Sequence, residues 1–173
     1  MQKLKGTHFF TADEHYFHKN SIKYCNRPFK DVEEMNREII DRHNSVVTAD
    51  DITIHIGDFG LGSASKIKRL IGELNGRHVF LEGSHDRWLK GAKQIWESRI
   101  DGDPVICCHY CMRVWAKSHY NSWHLYGHSH GTLPSIGKSM DVGVDTNDYY
   151  PYSFDDIKRI MKDKPDNPNL VRK

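Results

Sequence analysis

The sequence predicts an α/β fold in which a parallel half is followed by an antiparallel half. Strand-like apolar runs alternate with segments whose apolar residues recur every three or four positions, which is typical of amphipathic helices. The order of these patterns is β-α-α-β-α-β-α, followed by several short strands. Asp and His residues cluster directly after the strand-like runs. Because open α/β sheets bind ligands at the carboxyl ends of their strands, we expect a site there.

The length of the chain fits one domain. Its 173 residues can bury a sizeable core, and no internal repeat, low-complexity run or linker divides them. We therefore expect a single domain over residues 1–173. Within it, about residues 164–173, which include two prolines, are expected to form a frayed tail.

Charge and cysteine content restrict the environment and the partners. A formal net charge of +2 and a pI near 8.3 give no basic stripe for nucleic acid, so any phosphate binding must be local. The adjacent Cys107 and Cys108 favour a reducing compartment. Cys108-x-x-Cys111 is half of a zinc knuckle, but a half-buried strand end is the favoured interpretation. Without a signal-like or membrane-spanning run, we expect a cytoplasmic protein with no membrane partner. The sequence leaves the oligomeric state open.

The first half of the chain supplies two strands and two helices. We expect a strand at residues 7–12 and a short helix that ends near residue 25. Asp31 is the predicted N-cap of a helix of about four turns, and Glu34 three positions later would complete a capping box. Alternating isoleucines then predict a strand at residues 52–56 with one buried face.

The second half begins with a helix over residues 67–74, which Asn75-Gly76 would end. A strand at residues 78–82 and a helix that extends to about residue 99 should follow. Ser153, with Asp156 three positions later, is the predicted cap of a last helix. Between them, strands are predicted near residues 104–109, 112–115, 123–126 and 138–144.

Six residues that follow these strands are candidate metal ligands. Carboxylate and imidazole groups suit borderline divalent cations such as manganese, iron, zinc and nickel. Six ligands are too many for one transition ion with an open position, but they fit two ions that share a bridging carboxylate. Such a pair clamps the attacking and leaving oxygens of an in-line displacement at phosphorus. The six candidates are Asp13, His15, Asp58, His109, His128 and His130.

Five short motifs in a fixed order carry a resemblance to a known family. They are Asp13-Glu14-His15, Gly57-Asp58, Gly83-Ser84-His85-Asp86, His109 and Gly127-His128-Ser129-His130. In these motifs the chain resembles the calcineurin-like metallophosphoesterase superfamily over nearly its whole length. The motifs Arg27-Pro28-Phe29 and Asp141-Val142-Gly143-Val144-Asp145 resemble a small bacterial and phage branch of that superfamily.

The resemblance implies a four-layer α/β/β/α sandwich with two mixed β-sheets flanked by helices. It also implies two divalent metal ions as cofactors, which could be Mn²⁺, Fe²⁺/Fe³⁺, Zn²⁺ or Ni²⁺. A hydroxide that bridges the two ions would be the nucleophile. His85 would act near the leaving group as general acid or electrostatic stabiliser, oriented by Asp86. The implied ligands are Asp13, His15, Asp58 and His130 for one ion, and Asp58, residue 84, His109 and His128 for the other.

Ser84 is the main departure from the family, which has an asparagine ligand at this position. A hydroxyl is a poorer donor and reaches less far, so Ser84 could bind metal after a backbone shift, act through water, or leave the position open. We expect a weaker second metal. Two further residues are candidates for substrate binding: Arg27 contacts phosphate or supports a loop, and His18 reaches substrate or the outer side of a metal ligand.

The sequence thus predicts a metal-dependent phosphoesterase that acts on phosphomonoesters or phosphodiesters, with a nucleotide or another small phosphoester as substrate. The alternative is a catalytically silent metal-binding module of the same fold that serves as a protein-interaction surface. Ser84 alone favours that alternative, whereas His85 and the six candidate ligands favour the enzyme.

Overall fold

A computed structural model describes residues 6–171 of the chain. No helix in this range combines the length and the apolar character needed to cross a bilayer. The elements are β1 (His8–Thr11), α1 (Lys19–Tyr24), α2 (Val32–Val46), β2 (Ile52–Ile56), α3 (Ala64–Ile71), β3 (Arg77–Leu81), β4 (Ile95–Ile100), β5 (Asp103–Cys108), β6 (Trp123–Tyr126), β7 (Ser139–Asp141), β8 (Tyr152–Ser153) and α4 (Phe154–Asp163).

The strands form two mixed four-stranded sheets. The first has the order β3-β2-β1-β8, with β8 antiparallel to β1 and the other pairs parallel. The second has the order β4-β5-β6-β7, in which only β4 and β5 pair antiparallel. The expected antiparallel second half is therefore wrong beyond this pair. Long connections over residues 109–122 and 127–138 provide the crossovers that parallel neighbours need.

The predicted fold class, two mixed sheets with flanking helices, is confirmed. The core between the sheets contains Phe10 and Ile54 of the first sheet, Val105 and Leu125 of the second, and Ile157 of α4. Because side chains alternate along a strand, each sheet also has an outer face. Helices α2 and α3 contribute to a second buried cluster beside the first sheet. The connection from β5 to β6 contains a 3₁₀ turn, Ser118–Tyr120.

The helix predicted to extend to residue 99 is wrong. Gly91 adopts a left-handed φ of 76°, and residues 95–100 form β4, which pairs along its whole length with β5. The Asp101-Gly102 turn between these strands has φ values of 50° and 97°, as hairpins with two-residue loops require. Trp96 packs edge-on against Phe10 across the sheets, so pairing and burial outweigh local helix propensity here.

Two smaller predictions also need correction. Residues 112–115 form an irregular, bent segment instead of a strand. Glu34 accepts the N–H of Lys30 at 2.7 Å, so Asp31 caps α2 without a complete capping box. The last helix begins as predicted, with a complete box between Ser153 and Asp156.

The tail is not frayed up to residue 171, because buried Asn167 holds it. The side-chain amide of Asn167 donates to Ser118 O and Ser122 O at 3.0 Å each, and its Oδ1 accepts the N–H of Lys138 at 2.7 Å. Val171 donates its N–H to His119 O. Residues 172–173 of the predicted tail lie outside the described range.

Candidate metal centre

The carboxyl ends of β1, β2, β5 and β6 converge on one cluster of Asp and His side chains. Asp13 and His15 follow β1, and Asp58 follows β2. The N–H of Asp13 donates to Gly57 O at 3.1 Å, and the N–H of His15 donates to Asp58 O at 3.0 Å. On the second sheet, the N–H of Gly127 donates to His109 O. These bonds hold the turns after neighbouring strands side by side, so side chains far apart in sequence meet.

The six candidate ligands form two neighbouring groups of three. One group is Asp13, His15 and His130, and the other is Asp58, His109 and His128; within each group the ligand atoms lie within 4.8 Å of one another. Asp58 Oδ2 lies 3.3 Å from His109 Nε2 and 3.9 Å from His15 Nε2. Asp58 thus stands between the groups, where a bridging carboxylate would be. Metal ligation itself stays a prediction.

The backbone is strained at five of the six candidates. The φ angles are 58° at Asp13, 54° at His15, 56° at Asp58, 68° at His128 and 46° at His130. Residues other than glycine rarely adopt this left-handed conformation, which costs about 1–2 kcal/mol each. Strain of this kind concentrates at ligand-binding and catalytic sites. In Gly127-His128-Ser129-His130, the left-handed backbone turns both histidine rings into one cluster. The regular two-residue repeat of a strand would not produce this arrangement.

The donors present fit divalent metal ions. Among residues 6–171, two buried cluster atoms have no hydrogen-bond partner, Asp13 Oδ1 and His109 Nε2, although the second lies 3.3 Å from Asp58 Oδ2. Leaving such atoms unpaired costs about 1–3 kcal/mol each. Their neighbouring atoms are engaged, since Asp13 Oδ2 accepts the N–H of His128 at 2.8 Å and His109 Nδ1 donates to Ile56 O at 2.9 Å. The free atoms are a carboxylate oxygen and an imidazole nitrogen, the ligand types that these cations prefer.

Burial and mutual contacts set the charge states of the cluster. Burial raises the pKa of Asp13 to about 7, although His130 and His109 oppose the shift. Burial lowers the pKa of His15 to about 3, so its imidazole is neutral at pH 7, as metal binding requires. Burial alone would raise the pKa of Asp58, but His109 and the N–H of His85 hold it below its usual range.

Ser84 and His85 lie at the mouth of the cluster. Ser84 is exposed, and its hydroxyl donates to Asp58 Oδ2 at 3.0 Å. The His85 side chain is 42% exposed, with Nε2 at 4.0 Å from the same carboxylate oxygen. The ring of His85 also faces the rings of His15 and His18, with centroids 5.2 and 5.0 Å away. An exposed imidazole at the rim of the cluster can reach a bound molecule, and the catalytic role of His85 stays a prediction.

Asp86 does not orient His85, contrary to the sequence interpretation. Asp86 is buried, and its Oδ2 accepts the N–H groups of Asp58 at 2.7 Å and Gly83 at 3.0 Å. Its Oδ1 accepts from Trp88 Nε1 at 3.1 Å and from a further backbone N–H. The carboxylate therefore holds the turns after β2 and β3 together. Its role is to shape the cluster.

Arg27 does not face a substrate. It is buried, and its guanidinium donates to both carboxylate oxygens of Asp145 at 2.8 Å each. The remaining donors reach Asp13 O at 2.6 Å and Glu14 O at 3.0 Å. Of the two predicted roles, the structure favours loop support over phosphate contact.

His18 lies next to both His15 and His85. It is half-buried, its Nδ1 is 3.2 Å from His15 Nδ1, and its ring is tilted against His85 at the mouth of the cluster. Contact with a substrate and contact with the outer side of a ligand are both compatible with this position, so its role stays a prediction.

The sequence predicted no functional role for two aspartates that contact the cluster. Asp141 accepts Ser129 Oγ at 2.6 Å and the N–H of Gly131 at 2.9 Å, and so holds the turn that carries His128 and His130. Asp145 accepts a bond from His130 Nδ1 at 2.7 Å. The available signal was their common motif, Asp-Val-Gly-Val-Asp, which overlaps the strand predicted near residues 138–144.

Known proteins share the sequence or the fold. The uncharacterized protein MJ1445 of Methanocaldococcus jannaschii is 34% identical over 163 residues, which cover 89% of this chain and 90% of the relative. No family model matches the chain. The protein of unknown function AQ665 from Aquifex aeolicus shares the fold with a TM-score of 0.71 and 20% identity, over 90% of this chain and 99% of its own. A Vps29 single mutant from Entamoeba histolytica gives a TM-score of 0.49 at 13% identity, over 79% of this chain and 72% of its own.

The fold and the site define a class: an α/β sandwich of two mixed sheets with a two-part Asp and His cluster at the strand ends. Within that class, the chain belongs to the same family as MJ1445 of Methanocaldococcus jannaschii.

Proposed function

We propose that this protein is a cytoplasmic, single-domain metallophosphoesterase of the calcineurin-like superfamily that hydrolyses small phosphomonoesters or phosphodiesters at a dinuclear centre. The observation that carries the proposal is the position of Asp58 between two ligand groups, with Oδ2 at 3.3 Å from His109 Nε2 and 3.9 Å from His15 Nε2. Five motifs of the superfamily meet there in one cluster, which supports the proposal.

Divalent ions, with manganese as our first choice, would neutralise the phosphoryl oxygens and activate water as Lewis acids. Asp13, His15 and His130 would hold one ion, His109 and His128 the other, and Asp58 both. Ser84 stays beside Asp58 as a weak ligand or a hydrogen-bond donor.

The side chains at the mouth would handle the substrate. The His85 side chain is exposed, and its main chain is held in place because the backbone N–H donates to Asp58 Oδ1 at 2.8 Å. Its imidazole can donate a proton or a hydrogen bond to the leaving oxygen. His18 tilts against His85 and would bind the phosphoryl group or the leaving group from the same side.

The test is turnover of chromogenic phosphomonoesters and phosphodiesters by protein stripped with chelator and then supplied with Mn²⁺. We expect hydrolysis that depends on added metal and disappears in Asp58→Asn. The matched control is Asp51→Asn, a buried carboxylate that caps the start of β2, far from the cluster, and accepts from Thr7 and Thr48. That control should lose stability but keep metal dependence.

A negative result has a defined meaning. If Mn²⁺ binds but neither the wild type nor Ser84→Asn turns over any substrate, the catalytic proposal is wrong and the metal-binding interaction module is favoured. If Mn²⁺ does not bind, both the metallophosphoesterase and the metal-binding interaction module are refuted.

A further inference from the structure

Two motifs without a role in the proposed chemistry meet in one buried ion pair. Arg27 comes from Arg27-Pro28-Phe29, and Asp145 ends the Asp-Val-Gly-Val-Asp motif, 118 positions later. The guanidinium donates from Nε to Oδ1 and from Nη2 to Oδ2, both at 2.8 Å. The Arg27 side chain is 0% exposed and the Asp145 side chain 9%, so the pair is shielded from water. Paired geometry of this kind fixes direction as well as charge.

The pair contacts both halves of one ligand group. On one side, Arg27 Nη2 donates to Asp13 O at 2.6 Å and Nη1 donates to Glu14 O at 3.0 Å, which holds the strained turn that carries Asp13 and His15. On the other side, His130 Nδ1 donates to Asp145 Oδ2 at 2.7 Å. One guanidinium therefore connects the backbone of the turn that carries Asp13 and His15 to Asp145, the side-chain partner of His130.

The bond from His130 Nδ1 to Asp145 decides which nitrogen can bind a metal. In the neutral ring, with the proton on Nδ1, the lone pair is on Nε2, the nitrogen left for the group of Asp13 and His15. Cys25 Sγ lies 3.4 Å from the same Nδ1, a longer contact than that of the carboxylate. Cys25, His130 and Asp145 also lie close enough to hold a cation. The guanidinium of Arg27 on both Asp145 oxygens opposes a cation at that place.

We propose that Asp145, held by Arg27, is a positioning residue that fixes the tautomer and the direction of His130 and thereby sets the affinity of the metal position formed by Asp13, His15 and His130. This inference rests on the proposed dinuclear centre. Carboxylate partners on the outer side of metal-binding histidines commonly contribute about 10–100-fold to metal affinity.

Single variants at Asp145 confuse two effects, because removing the carboxylate leaves the buried Arg27 cation unpaired and destabilises the fold. The test therefore uses Arg27→Met as the reference and adds Asp145→Ala or Asp145→Asn to it. Mn²⁺ affinity and stoichiometry are measured by titration calorimetry, and apo-protein stability by thermal unfolding. Asp51→Ala is the control for a buried structural carboxylate.

We expect Arg27→Met with Asp145→Ala to bind Mn²⁺ at one of two positions about 10–100-fold more weakly than Arg27→Met alone. Asp145→Asn should restore part of the loss, since its amide oxygen can accept the proton of His130 Nδ1. Asp51→Ala should lower the unfolding temperature and leave both affinities unchanged. Equal affinities in Arg27→Met and in both double variants would overturn the positioning role while the centre stands. A wild type that binds no Mn²⁺ would instead refute the proposed function.

Discussion

The hydroxyl of Ser84 donates to Asp58 Oδ2 at 3.0 Å, so the residue that departs from the superfamily pattern contacts the carboxylate between the two ligand groups. The N–H of the next residue, His85, donates to the other oxygen, Oδ1. Asp58 is therefore held on both oxygens from the turn after β3. A side chain at position 84 acts on the proposed second metal through this carboxylate or by direct ligation.

Ser84→Asn should strengthen the second metal position. The asparagine amide oxygen reaches further than a hydroxyl and adds a ligand beside Asp58, His109 and His128, so we expect Mn²⁺ to bind at least roughly tenfold more tightly there, with a matching rise in turnover at limiting metal. Calorimetric titration and rates at several Mn²⁺ concentrations measure this. Ser84→Ala is the control, and it should not gain affinity. An asparagine variant that binds and reacts like the wild type would contradict a weak second site.

His85 and Asp86 should respond differently to substitution, although they are adjacent. His85→Ala removes an exposed imidazole, so kcat should fall by about 10²–10⁴-fold while stability changes by less than about 0.5 kcal/mol. Asp86→Ala leaves buried N–H groups of the turns after β2 and β3 unpaired and should cost at least about 2 kcal/mol of unfolding free energy. Steady-state kinetics and urea unfolding separate the two effects. Equal loss of kcat without destabilisation in both variants would instead indicate a coupled catalytic pair.

The strands and the ligand cluster could be predicted because both depend on local patterns. Alternating isoleucines identify β2, and parallel strands bring their carboxyl ends to one edge, so Asp13 and Asp58 were expected to meet. β4 was missed because its mostly exposed residues show no alternation of buried and exposed positions, and the Asp101-Gly102 hairpin signal was the only cue.

The partners of buried charged side chains were the part that sequence could not provide. The family resemblance implies that Asp86 orients His85, yet the Asp86 carboxylate accepts backbone N–H groups of the turns after two different strands. Arg27 suggests a phosphate contact, yet its partner Asp145 is 118 positions away. Such pairings are fixed by tertiary packing, which leaves no periodicity in the sequence.

Stability should depend on the protonation of His124, a buried histidine on the outer face of the second sheet. Its Nε2 accepts the N–H of Met112 at 3.0 Å, and its ring packs on those of Trp115 and Tyr126. Burial lowers the pKa of His124 to about 4, although its bond to Ile106 O opposes the shift. The unfolded chain therefore binds a proton at His124 below about pH 6.5, whereas the folded chain binds it only near pH 4. As a result, the free energy of unfolding falls by about 1.4 kcal/mol per pH unit as the pH drops from about 6.5 to 4.

The measurement is the unfolding free energy in urea at several pH values in this window, for the wild type and His124→Gln. Glutamine keeps an acceptor and a donor but does not titrate, so its curve should be flatter by about one proton. Other buried histidines, such as His43 and His55, contribute equally to both proteins and cancel. Parallel curves would show that His124 titrates alike in both states.

His128 offers a direct test of backbone strain, because it is exposed and its φ is 68°. Glycine adopts this conformation without steric cost, whereas alanine does not. We expect apo His128→Gly to be more stable than apo His128→Ala by about 1 kcal/mol, and both variants to lose a metal position. Lys68 on the exposed side of α3 is the control, where the usual order should hold and alanine should exceed glycine by about 1 kcal/mol. If alanine is the more stable residue at both positions, the left-handed geometry at His128 carries no strain, and the link between strain and the metal centre is lost.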